Sequence, residues 1–112
     1  MAGVEISIKM DGQIGIIAVA GSVDAHTVGD FDKKLKEVLA KTKSIIIDVA
    51  ALEYIATAGL GALMASFNEV KKGGGNIILA GMSDKVKKVF DTMGFSKVFK
   101  IVGSVPEAKS AL

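Results

Sequence analysis

Cysteine and arginine are both absent from the 112 residues, proline occurs once, and aromatic side chains make up 5%. Without cysteine there is no disulfide, no thiolate nucleophile and no cysteine-based zinc site. The single histidine, His26, cannot build a histidine cage around a metal. All 14 basic residues are lysines, against 12 acidic ones, for a net charge of +2. Sequence-reading nucleic-acid proteins depend on the guanidinium fork to grip guanine and phosphate, so no nucleic-acid partner is expected. Lys33, Lys34, Lys36, Lys71, Lys72, Lys85, Lys87 and Lys88 read instead as solvated helix faces. No apolar run approaches the roughly 18 to 20 residues that cross a bilayer. The first nine residues alternate apolar with polar, unlike a secretory leader. The expectation is a cytoplasmic protein with no membrane insertion.

Half of the residues are hydrophobic. With few aromatics, the core must come from Val, Ile, Leu, Ala and Met, in one domain spanning residues 1–112. Val4, Ile6 and Ile8 alternate with Glu5, Ser7 and Lys9, the period of a strand with one wet face, and Asp11-Gly12 supplies a turn into a second strand, Ile14 to Ala20. These two pair as an antiparallel hairpin. Val28, Phe31, Leu35, Val38 and Leu39 recur at helical spacing over 27–40. Ser44 to Val49 is a β-branched run buried on both faces, the central strand. A second helix follows from 58, through Leu60, Leu63, Met64, Phe67 and Val70, and stops at Lys71-Lys72 and three glycines. Asn76 to Ala80 is another buried strand. Ser83-Asp84 caps a third helix closed by Gly94. Residues 97–102 add an edge strand, and a short helix starts after Ser104, with Pro106 in its first turn. The predicted fold is α/β: a mixed, mostly parallel sheet of four to five strands with an N-terminal hairpin and three to four helices.

No constellation for catalysis emerges. Gly59-Leu60-Gly61 lacks the third small residue of a dinucleotide fingerprint. Lys71 to Gly75 follows a helix and precedes a strand, the reverse of a phosphate loop. Asp24 and Asp48 have no neighbour in sequence to set them apart as acid and base. Neither an enzyme activity nor a cofactor is expected. The segment Asp48 to Gly61 is different in kind. A buried strand leads into a loop carrying Tyr54-Ile55, then into small residues opening a helix with glycine in its first turn, where another surface can approach the backbone.

At these residues the chain resembles the STAS domain, the family of bacterial anti-sigma factor antagonists. The likeness runs through Gly21-Ser22-Val23-Asp24, Asp48 to Leu60, Gly73-Gly74, Ile77 to Gly81, Lys85 to Phe90, and Gly94-Phe95 on to Ile101. It implies a domain that binds an anti-sigma factor, usually a serine/threonine protein kinase, and so frees a sigma factor for transcription. Phosphorylation by that kinase switches the binding off. The family pattern places a phosphorylated serine directly before a glycine; here the position is Ala58, before Gly59, and the usual acidic residue two places earlier is Ala56. Thr57 is the one hydroxyl nearby. It reads as the N-cap of the second helix, ahead of a substitute phosphate acceptor. The resemblance gives Asp24 a role in partner contact or phosphotransfer, against a plain role capping the first helix. Candidate docking residues are Asp24, His26, Thr27, Tyr54, Ala56, Thr57, Ala58, Gly59, Leu60 and Gly61, with Ile55 assigned to the core. A constitutive antagonist, a scaffold or decoy subunit, and an accessory domain of lipid or anion transport are the alternatives. A monomer and a weak homodimer are both open.

Overall fold

A computed structural model describes residues 3–112. Strand β1 (Val4–Asp11) and strand β2 (Ile14–Val23) form the expected antiparallel hairpin. Its two-residue turn, Gly12-Gln13, opens with Gly12 at φ 62°, the sign that the first position of a II′ turn requires. Helix α1 (Val28–Leu39) follows, then β3 (Ser44–Asp48), β4 (Leu52–Ile55), helix α2 (Thr57–Lys72), β5 (Asn76–Ala80), helix α3 (Asp84–Thr92), β6 (Lys100–Val102) and helix α4 (Val105–Ala111). The sheet order is β1-β2-β3-β5-β6, every pairing beyond the hairpin being parallel, with β4 also joined to β2.

Helices α1, α2 and α3 cover one face of this sheet and α4 part of the other. Ile45 and Ile47 of the central strand β3 point into the larger core with Leu35, Leu63 and Phe90. Ile46 points the opposite way, onto Ile78 and Ala108 of the smaller one. Burial on both faces explains why β3 and β5 are unbroken β-branched and aliphatic runs. Four of the five phenylalanines, Phe67, Phe90, Phe95 and Phe99, meet mostly edge to face within the larger core. The Ser83 hydroxyl caps α3 by accepting the Val86 N–H at 3.3 Å, and Ser104 does the same for α4 through Glu107 N–H. No helix among the described residues is long and apolar enough to cross a membrane.

The expected α/β architecture holds, with one strand more than the four or five expected. Leu52–Ile55, read from the sequence as loop, is β4, pairing in parallel with the end of β2. A strand with one buried face alternates, but this one runs buried, exposed, exposed, buried. Gly21 pairs with Leu52 and Ser22 with Tyr54, so Glu53 is an extra residue that breaks the period of two. The other boundaries move by at most three residues, β5 standing where expected and the edge strand β6 being shortened by a 3-10 turn at Phe95–Lys97.

Truncating the central strand should be costly. Ile47→Ala, at a site 1% exposed, is expected to lose about 2–5 kcal/mol. The exposed Ser7→Ala should stay within about 0.5 kcal/mol. Urea denaturation of the two variants against the parent measures both.

Candidate functional site

Two segments distant in sequence meet at the carboxyl end of β2. The first is the turn between β2 and α1. One Asp24 carboxylate oxygen accepts the backbone N–H groups of His26 at 2.9 Å and Thr27 at 3.1 Å. The Thr27 hydroxyl accepts the Asp24 N–H at 2.9 Å and donates to the Ser22 carbonyl at 2.8 Å. Asp24 thus organises the turn that leads into α1; the cap position itself is Thr27, and no side chain caps that helix. The hydrogen bonds, that from His26 first, hold its carboxyl below the ordinary value of 3.8. The His26 side chain is exposed.

The second segment is the turn from β4 into α2. Ala56 N–H donates to the Val23 carbonyl at 2.8 Å, tying this turn to the residue before Asp24. Ala56 is extended at φ −88° and ψ 170°, and its carbonyl accepts the Leu60 N–H at 3.1 Å, so Ala56 occupies the N-cap. The expectation that Thr57 caps this helix is therefore corrected. Thr57 is already the first helical residue, one position too late for its oxygen to turn back on the first N–H groups. No side chain caps α2 and no acidic residue lies in its first turn. The positive end of the helix dipole is thus uncompensated by side chains.

Burial divides the candidate docking residues. Tyr54 is 49% exposed; Thr57, Ala58 and Gly61 are exposed as well, and Ala56 is half-buried. Leu60 is 2% exposed and Gly59 is also buried. These two belong to the foundation of the site and cannot be touched by a partner, because the helix turns that side inward. Ile55, at 3%, is core as expected. A Cβ on Gly59 would lie 2.6 Å from Val23 Cγ1 and 2.8 Å from Ile55 Cγ1, so only glycine lets α2 pack this closely on the strand ends. Asp24 and Asp48 do not come together: Asp48 pairs with Ala18, six residues before Asp24 on β2. Among the described residues no group of three His, Asp or Glu side chains could hold a metal. A small apolar void beneath the site, lined by Val23, Ile55, Leu63 and Phe90 among others, measures about 10 Å³. That is room for about one water and none for a lipid tail.

The family model for the STAS domain matches residues 5–108. The chain belongs to the STAS domain family. Among curated relatives, this STAS domain is 28% identical over 86 residues to the anti-sigma-B factor antagonist of Listeria monocytogenes, covering 76% of this chain and 75% of that one. Among solved structures, an anti-sigma factor antagonist from Mycobacterium paratuberculosis superposes with a TM-score of 0.89 at 18% identity, over 96% of this STAS domain and 92% of that chain. A sulfate transporter family protein from Wolinella succinogenes shares the fold with a TM-score of 0.74 at 20% identity, over 89% and 84% of the two chains. Within this STAS domain, the segment carrying the resemblance, Asp48 to Gly61, is the one that the β2–β4 pairing brings beside Asp24.

Gly59→Ala should cost about 1–3 kcal/mol through overpacking, read as a lowered urea midpoint. For Asp24, a carboxyl held below its ordinary value adds stability above that value, lost as pH falls through the lower folded one. Asp24→Asn should therefore flatten the acid limb of stability below about pH 4, measured by urea melts from pH 5 to pH 2.

Proposed function

We propose that this protein is an anti-sigma factor antagonist that docks through the face made by the β2–α1 turn and the start of α2, and that its docking is not switched at position 58. The observation that carries the reading is the chemistry of that face. Ala56, Ala58 and Gly61 present methyl groups and backbone around one exposed hydroxyl, Thr57. In the family pattern a kinase adds phosphate to the side chain at position 58; alanine there has no oxygen to receive it. A phosphate would bring about −1.5 to −2 charges into the middle of the surface. Without it the face keeps its apolar, unmodified character, and the anti-sigma factor, of the serine/threonine kinase type, is held as long as both proteins are present. Such a sequestering role belongs in the cytoplasm.

The chemistry of Thr57 supports constitutive binding. Its side chain leaves the helix about 100° around the axis from that of Ala58, so a kinase aligned to phosphorylate position 58 finds the threonine hydroxyl turned away. The transport reading is the weaker one, because a shared fold does not carry a function with it.

The test combines the protein with anti-sigma kinases of its source organism, with ATP and magnesium, and reads complex and mass together by native mass spectrometry. A complex that persists with no gain of mass is expected. A phosphate on Thr57 together with loss of the complex would overturn constitutive binding, and no complex with any such kinase would overturn the antagonist role. Ala58→Asp, which places charge where the phosphate would stand, should weaken the complex by at least about tenfold. Calorimetric titration checks it, and an unchanged affinity would remove position 58 from the interface.

A further inference from the structure

Strand β1 is the open edge of the sheet, eight residues long, without proline and with one lysine. An edge of that length exposes a row of unpaired N–H and C=O groups, a template for another strand. Which groups are free follows from the hairpin. The Asp11–Ile14 pair closes a two-residue turn and is a hydrogen-bonded pair, so Asp11, Lys9, Ser7 and Glu5 direct their backbone groups at β2. The next odd residue conforms, the Gly3 carbonyl accepting the Ser22 N–H at 2.8 Å. Met10, Ile8, Ile6 and Val4 therefore direct theirs outward. The same four side chains lean toward α1, where Val4 and Ile6 border an open groove of about 230 Å³, and Met10 is 38% exposed.

We propose that the partner for this edge is a second copy of the chain, with β1 pairing antiparallel to β1 about a two-fold axis at Ser7. The charge pattern selects that register. Glu5 then faces the second copy's Lys9, and Lys9 faces its Glu5. Ser7 faces Ser7, Ile6 faces Ile8, and Val4 faces Met10. Every hydrogen-bonded pair joins two outward-directed residues, as an antiparallel ladder demands. Sliding by two residues one way sets Lys9 against Ser7 and Glu5 against Asp11, an acid already paired with Lys109; sliding the other way also leaves both Glu5 and Lys9 without an opposite charge. The lysine that guards an edge against strangers is thereby complementary to its own copy. The two sheets become one. Val4 and Leu52 both pair with Gly21, so β1 and β4 lie on opposite sides of β2. The dimer edge therefore lies on the side of β2 away from β4 and the start of α2.

The chain has no cysteine of its own, which makes crosslinking a direct readout of register. Opposed residues in a non-hydrogen-bonded pair have Cβ atoms about 4.5–5.5 Å apart, close to disulfide reach. Under oxidised glutathione, folded Ser7→Cys should form a covalent dimer of twice the 11.6 kDa chain mass. Glu5→Cys and Lys9→Cys should stay monomeric alone and crosslink when mixed. By analytical ultracentrifugation, Glu5→Lys or Lys9→Glu alone should weaken association by about tenfold, and the double swap should restore it. A parent protein that sediments as a monomer at about 1 mM would overturn the proposal. So would Ser7→Cys crosslinking no faster than Glu5→Cys, or a dimer indifferent to both single charge swaps.

Discussion

The structure depends on β2 being longer than its neighbour. Its ten residues pair with β1 along eight positions, but β3 accompanies only Ile14 to Ala18 and stops at Asp48. The lane beside the last part of β2 is thus empty, and the chain turns through Val49, Ala50 and Ala51 to fill it as β4. Gly21 N–H donates to the Ala51 carbonyl at 3.0 Å at the start of this second pairing, and Ala56 N–H to the Val23 carbonyl at 2.8 Å at its end. Each such bond is worth about 0.5–1.5 kcal/mol net. Burying Val23, Ile55 and Leu60, none more than 3% exposed, contributes about 1.5–3 kcal/mol each. Packing therefore fixes the two turns against one another, and the hydrogen bonds set their register.

This arrangement separates the residues that make the site from those that face outward. Gly59 and Leu60 give α2 its close seat on Val23 and Ile55, and Asp24 spends one oxygen holding the turn that leads into α1. What remains at the surface is an uncharged helix start beside Tyr54, its dipole uncompensated by any acidic residue in the first turn. Such a face suits protein docking, and the proposed antagonist role follows from that chemistry joined to membership of the family. On the proposed reading, Ala58 is the defining choice: it puts one methyl group where the family pattern has a hydroxyl that phosphorylation would use to make the same surface conditional.

Much of this was legible in the sequence. The hairpin, the doubly buried β3 and β5, the three large helices and even the short α4 announce themselves through period, caps and turn residues. Ser83, Gly94, Ser104 and Pro106 all stand where helix ends require them. The readings of β4, of Thr57 and of Gly59 and Leu60 as contact residues failed for local reasons. β4 hid because the extra residue Glu53 shifts the phase between Leu52 and Ile55, so Leu-Glu-Tyr-Ile shows no alternation. Thr57 looked like a cap because threonine prefers that position, but the helix starts one residue earlier than the sequence suggests, and Ala56, held by its N–H on the Val23 carbonyl, takes the cap. Burial of Leu60 was readable from its place in the helical period with Leu63 and Phe67, a signal outweighed by its closeness to the resemblance motif.

The central claim, that the proposed partner surface is built where β2 and β4 end, is tested most directly by mapping the contact on the protein itself. Isotope-labelled protein titrated with its anti-sigma factor should show amide shift changes concentrated at Asp24 to Thr27 and Tyr54 to Gly61, with α4 and the outer face of β6 undisturbed. Changes centred on α3 or α4, with the start of α2 silent, would contradict the account.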